Sequence, residues 1–505
     1  MASRAQSHIF VMLSPPPLEM HGFQNLLRGR IFWLVIALTV AIVNLLVATP
    51  EFLGLTLTGL CLIAALASPP AMLVVLLVLA PLRALIATES GIDLPFDIGQ
   101  ILFVLYIGVW LAHRIALRQP VVTLHRNIVL SASLCLCAVF ALGSWTSASQ
   151  SAWLREWLKW ILMAIFVWQI TISEHSCWPW MVFALLVAAT ANALVGLYIF
   201  FGGSGADHLA ILGRFFRAFG TFGQPNPFAG FMGLMLPLAL MGAYVQLASI
   251  LSEYRKKQRL RWNTLQLLIC FGLSAALISA ALLTSWSRGA WLGTAVSVAV
   301  MLFALPKRLT TGFAAALGLA LLIAGLWLGG LLPRSLVNRL TASSDDFLTM
   351  EDVRGVDVSP INYAVVERIA HWQAALNMAQ SNPILGVGLG NYEIVYDQYR
   401  LINWKEPLGH AHNFYLNTLA ETGIVGLLAY LAFWLVIFLV TWRARTHPDL
   451  FARATAIGLL GSWTYLAVHS IFDNLFVNNL FLHIGVLLGI LAILYCQLNH
   501  RLVLD

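Results

Sequence analysis

Charge is what this chain is shortest of. Only 10% of its 505 residues are Asp, Glu, Lys or Arg while 60% are hydrophobic, against about a quarter charged in an ordinary soluble domain. With a mean hydropathy of +0.83, the soluble classes of enzyme and binding module are excluded. Cysteine is scarce as well. The six, at positions 61, 135, 137, 177, 270 and 496, fall mostly within apolar runs and show no paired spacing, so neither a disulfide nor a thiolate metal site is expected. Regular alternation of polar and apolar residues is missing, which removes a β-barrel. The first apolar run is long and lacks a small-residue cleavage site, so no cleavable signal peptide is expected.

What is present is a series of apolar runs, most of them of 17 to 25 residues, a length sufficient for a helix across about 30 Å of hydrocarbon. The predicted fold is an all-α polytopic membrane protein of about 12–14 transmembrane helices, with a large helical extracytoplasmic loop before the third-last span. Spans are expected near 31–49, 51–67, 70–87, 98–117, 127–147, 153–172, 178–201, 226–250, 263–284, 290–305, 311–331, 413–441, 455–473 and 475–497. The polar first 30 residues, with Pro15, Pro16 and Pro17 in a row, read as a disordered cytoplasmic tail, with Met20 a second possible start. The organisation is then a bundle over 31–331, a loop with helices over 332–412, C-terminal spans over 413–497 and a tail over 498–505.

Lysine and arginine orient these spans. With the N-terminus inside, 17 of the 29 Lys and Arg but only 5 of the 22 Asp and Glu fall on the cytoplasmic side. The basic pI of 9.2 therefore reflects topology beside anionic lipid rather than nucleic-acid binding.

Chemistry-bearing residues gather on the outer side. The segment HAHNFYLNTLAETGIVG, 410–426, ends the longest polar interval and puts His410 and His412 where a helix re-enters the membrane. A neutral imidazole there can act as a base or hold an acceptor. The turn SWSRG carries Arg288 between two spans; an arginine at helix-centre depth costs about 2.5–3.5 kcal/mol, so it faces a cavity or partner, or snorkels to the interface. Arg214 and Arg217, at i, i+3 helical spacing, precede the turn FGQPNPFAG. Arginine forks suit phosphate oxygens.

Within the long interval, the apolar positions Tyr363, Val366, Ile369, Ala370, Trp372, Ala374, Leu376 and Met378 predict a helix over about 362–380, ended by Asn382-Pro383. Gly386, Gly388 and Gly390 follow. No strand–crossover context surrounds them, so they read as a tight reversal towards the bundle, not a nucleotide site. Tyr392, Tyr396 and Tyr399 are expected near the outer surface, to anchor the interface or to stack on sugar. Glu421 lies nine residues beyond His412, about 13 Å along a helix; its expected role is structural or a contact to another span.

Together these residues resemble the O-antigen ligase and O-antigen polymerase superfamily. RGAWL, Arg288 to Leu292, matches its R-x3-L element, and HNFYLNTLAETG, His412 to Gly423, its H-x10-G element. FGQPNPFAGF before one span and ERIAHWQAALNMAQSNPILGVGLGNY within the loop agree in order, so the resemblance covers about 200 residues. It implies a metal-independent, inverting glycosyltransferase of the bacterial inner (plasma) membrane, with its active site facing the periplasm. The implied donor is a glycan on undecaprenyl diphosphate and the acceptor a hydroxyl of lipid A core or of a growing glycan. By that resemblance Arg288 and His412 take the positions of the functional arginine and histidine and Arg217 that of a second arginine; Arg214, by its own spacing, is a further candidate for the diphosphate, and His410, whose role the resemblance does not carry over, Asn413 and Glu421 are candidate supporting residues. No cofactor, metal or nucleic-acid partner is implied; the lipid bilayer is. A polysaccharide polymerase with the same donor is the first alternative. A transporter is the second, although no inverted repeat is visible.

Overall fold

In a computed structural model of the chain, the residues described are 59, 68–85, 97–121, 127–173, 175–203, 207–259, 261–341, 352–359 and 362–502. The predicted spans at 31–49 and 51–67 lie outside them. The chain divides into two compact units, residues 1–75 with 105–121 and residues 76–104 with 122–505. The helices from Ile128 onward and the site they form belong to the second.

The architecture is all-α. Helices α1 (Pro69–Leu79), α2 (Ile98–Ala116), α3 (Ile128–Ala141), α4 (Gln150–Ile172), α5 (Trp178–Phe200), α6 (Pro225–Arg255), α7 (Trp262–Thr284), α8 (Arg288–Ala304) and α9 (Leu309–Leu328) come first. A long connection holds α10 (Arg334–Thr341), α11 (Tyr363–Ser381) and α12 (Tyr392–Tyr399), and α13 (Phe414–Ala444), α14 (Leu450–His469) and α15 (Leu480–Leu502) complete the chain. Among the described residues, eight of these helices are long and apolar enough to cross a membrane, and α1 and α8 are shorter apolar helices. The protein is thus a multi-pass membrane protein.

Two boundaries depart from the hydropathy reading. The span expected over 70–87 breaks at a 3-10 turn, Ala80–Leu82, where Pro81 has no N–H to continue an α-helix. More consequentially, α14 stops at His469 and α15 begins at Leu480, so residues 470–479 form a non-helical passage where hydropathy predicts the ends of two spans.

Helix packing is close where residues are small. The Tyr465 hydroxyl of α14 donates to the Ala229 carbonyl of α6 at 2.7 Å, beside Gly233. On its other side Ser297 of α8 donates to the Gly461 carbonyl at 2.8 Å. These bonds hold α6, α8 and α14 together and fix where their ends meet.

The long connection is fastened to the bundle through a break in α13. Gly423 has φ 60° and ψ −167°, a backbone region essentially confined to glycine. The kink frees the carbonyls of Ala420 and Glu421, which accept from the N–H groups of Val387 (3.0 Å) and Gly388 (2.9 Å). In return Ile424 donates to Pro383 (2.9 Å) and Val425 to Ile384 (3.3 Å). A Cβ on Gly423 would sit 2.3 Å from the Ile384 carbonyl carbon. Glu421, buried, accepts from the Tyr392 N–H at 3.1 Å and so caps α12.

Candidate functional site

The segment before α13 is shaped by its own side chains. Asn413 is the N-cap, accepting from Tyr415 (3.0 Å) and Leu416 (3.1 Å), and His410 Nδ1 accepts the His412 backbone N–H at 3.0 Å. His412 itself adopts φ 50°, a left-handed conformation that costs a non-glycine residue about 1–3 kcal/mol and clusters at functional sites. The Phe414 N–H donates to the Ser470 carbonyl at 2.8 Å, tying this segment to the passage after α14.

That passage supplies Asp473, which the sequence reading missed because it stands in an apolar run. Its buried carboxylate lies 3.4 Å from His412 Nδ1 and 3.8 Å from His410 Nε2. Burial pushes the carboxyl up, but the His412 hydrogen bond and the charges of His410, His412 and Arg368 outweigh it, holding it well below the usual carboxylate range. An ionised Asp473 places the His412 proton on Nδ1 and leaves Nε2 with a lone pair, the form a general base requires. Burial pushes His410 down to about 4 against the upward pull of Asp473, with smaller downward contributions from His412, Arg368 and Lys159, so its ring is neutral at pH 7.

One ligand atom each from His410, His412 and Asp473 falls within 4.8 Å of the others, a spacing that could hold a metal ion. The hydrogen count opposes it. His410 Nδ1 already accepts the His412 N–H, so in a neutral ring Nε2 carries the hydrogen and has no lone pair for a cation. Filling the site would require breaking that bond or ionising the ring.

A third histidine comes from α11. His371 is buried, its Nδ1 is 2.9 Å from the Tyr392 hydroxyl, and its ring meets His412 edge to face at 5.9 Å between centroids. Tyr392 and Tyr396 are themselves buried, not at the surface as expected: Tyr392 buttresses His371, and Tyr396 stacks on it at 5.0 Å.

The arginines assemble on the turn between α7 and α8. Arg217 Nε donates to the Ser285 carbonyl at 2.9 Å, and the neighbouring Ala218 N–H to Thr284 at 3.0 Å. Arg339 of α10 grips the next carbonyl, that of Trp286, with Nε (3.4 Å) and Nη2 (3.2 Å). Arg288 begins α8 on this turn, and Gly289 lets it approach the end of α14: a Cβ there would meet Phe472 at 3.0 Å and His469 at 3.1 Å. Burial, then the charges of Arg339, Arg368 and Arg288, push Arg217 down to about 9. Arg339 falls to about 10 through burial and the charges of Arg288 and Arg368. Guanidinium stays protonated at pH 7, so these shifts express the cost of crowding cations, which a bound anion would relieve.

Arg214 is not in this group. The stretch before α6 is a two-residue hairpin, Ala210–Ile211 against Phe215–Phe216, rather than a helix, so the i, i+3 argument fails. Arg214 is exposed, with its guanidinium 5.3 Å from the Phe215 ring centre. Arg339 carries no signal that separates it from other polar loop residues; Arg368 and His371 lie in the segment ERIAHWQAAL that agrees with the family pattern, but only the folding of the connection brings them here.

Residues 273–431 match the family described as O-antigen ligase. That region runs from α7 into α13 and includes Arg288, Arg339, Arg368, His412 and Gly423, but neither Arg217 nor Asp473. No curated protein matches the chain.

Proposed function

Because residues 273–431 place this chain in the O-antigen ligase and polymerase superfamily of membrane glycan transferases, we propose that it moves a glycan from an undecaprenyl diphosphate carrier to a hydroxyl of lipid A core. The reaction runs on the periplasmic face of the inner membrane, without a metal and with inversion. One observation carries this reading: an aspartate-oriented imidazole, His412 on Asp473, stands at the end of α14 beside a turn on which Arg217, Arg288 and Arg339 converge.

Each part has a task. Arg217 and Arg288 bind the diphosphate, whose charge grows as the sugar bond breaks, so fixed guanidinium groups favour the transition state over the ground state. His412 Nε2 takes the acceptor proton while Asp473 stabilises the imidazolium that forms. Inversion follows if acceptor and diphosphate occupy opposite sides of the anomeric carbon.

The test separates chemistry from binding. His412→Ala should bind undecaprenyl diphosphate nearly as well as the parent while turnover falls about 10²- to 10⁴-fold; matched loss of binding would make His412 a diphosphate ligand instead. Chelators should leave activity intact, and activity lost to chelation and restored by a divalent ion would sink the metal-free route. In a deletion strain, loss of long chains from lipid A core with build-up of lipid-linked polymer supports a ligase; single-repeat caps indicate a polymerase.

A further inference from the structure

We propose that His371 binds the acceptor, its Nε2 lone pair receiving a hydrogen bond from a hydroxyl next to the one that His412 deprotonates. The inference rests on the transfer reaction above, to which it adds how the acceptor sugar is held. The surroundings of the His371 ring single out that nitrogen. Tyr392 meets Nδ1 at 2.9 Å, Tyr396 stacks on the ring at 5.0 Å between centroids, and His412 packs edge to face at 5.9 Å. Nε2 has no hydrogen-bond partner among the described residues. Nor is it one of the enclosed side-chain atoms left without a partner, so in a residue that is otherwise buried this atom keeps an opening to solvent.

The hydrogen count decides what that nitrogen can bind. The Tyr392 hydroxyl reaches both His371 Nδ1 and, at 3.2 Å, the His371 carbonyl. With the ring hydrogen on Nδ1, the ring donates to the hydroxyl and the hydroxyl to the carbonyl, so both bonds form at once; the other tautomer forfeits one of them. Burial, then the charges of His412 and His410, holds the ring down to about 4, so at pH 7 it is neutral and Nε2 is an acceptor only. Phosphate oxygens are acceptors too and are turned away, which leaves a hydroxyl as the ligand. That hydroxyl belongs to the acceptor because the His412 ring, 5.9 Å away between centroids, must touch the attacking oxygen to take its proton. Two imidazoles this close span neighbouring hydroxyls of one sugar, and holding both orients the attacking oxygen towards the anomeric carbon. No bond is made or broken at His371: the attacking hydroxyl passes its proton to His412 Nε2, and its neighbour keeps its own.

The experiment uses the full-length protein in nanodiscs, with undecaprenyl diphosphate as probe of the donor side and lipid-linked glycan as donor. Lipid A core as acceptor is compared with a deoxy analogue that lacks the hydroxyl adjacent to the attacked one. His371→Phe keeps an aromatic ring against Tyr396 but has no lone pair. It is expected to lower kcat/KM for lipid A core about 10- to 100-fold while binding the probe within about twofold of the parent. His371→Gln, whose amide oxygen can accept in place of Nε2, should recover part of that loss. The deoxy analogue should cost the parent a similar factor and His371→Phe almost nothing further, since both changes remove the same bond. Parent-like kcat/KM in His371→Phe overturns the proposal, as do independent, multiplying losses from the variant and the analogue. Should His371→Phe fail to fold, the parent and His371→Gln decide: unchanged kcat/KM of the parent with the deoxy analogue refutes the role, and a loss that shrinks in His371→Gln supports it. A parent protein that neither binds the probe nor transfers glycan would defeat the proposed function itself, whereas every outcome above leaves that function standing.

Discussion

At the proposed site, Asp473 and Arg288 are the single side chains on which the mechanism can be tested most directly. Asp473 chooses the His412 tautomer, so Asp473→Asn, nearly isosteric, should leave the fold intact and cut turnover on the order of 10²-fold or more by allowing the proton onto Nε2. Parent-like turnover in that variant would show that the 3.4 Å contact is incidental. Arg288→Lys keeps the charge but loses the planar fork that matches two phosphate oxygens. It should express and fold normally while losing most glycan transfer, and a fully active Lys variant would mean that Arg288 only snorkels.

At the level of elements, the break in α13 joins the connection to the bundle. Backbone pairs on both sides of Gly423 meet residues 383–388, and no side chain fits between them. Gly423→Ala should therefore destabilise the protein by more than about 2 kcal/mol, combining backbone strain with the clash at Ile384. Hydrogen exchange should quicken at Val387 and Gly388 before it does in α6 or α14; uniform exchange across the protein would contradict a local fastening role.

For the whole molecule, two measurements bear on assembly. The charge asymmetry predicts that a topology reporter near residue 345 acts as extracytoplasmic and one near 257 as cytoplasmic; finding both on one side would overturn that orientation and the proposed site with it. Acid should loosen the fold. Burial and the charges of His412 and His410 hold His371 down to about 4 from an ordinary 6.5, and His410 falls equally far. Between those values the unfolded chain binds protons that the folded chain does not, so stability falls as pH drops through that window. Asp473, held low, adds the same sign below about 4. The melting temperature in detergent should decline from pH 6.5 to 4, and less steeply in His371→Phe; a flat profile would show that these rings are not buried as described.

Hydropathy alone determined that the chain is a helical membrane protein and where most helices run, because burying backbone polar groups in lipid leaves few alternatives to an apolar helix. Motif spacing likewise pointed to Arg288, His412 and Gly423, since each sits at a helix end or break that the sequence marks locally. The partners of these residues were decided only by tertiary structure. Asp473 lies 61 residues from His412 inside an apolar stretch where a window average hides one charge. Arg339, Arg368 and His371 belong to a connection whose local pattern says helix and nothing about direction. A site made of side chains from several helices and a folded connection has no single periodicity to read, because its geometry depends on which carbonyls the turn at Ser285 and Trp286 leaves open and on where a glycine lets two backbones touch.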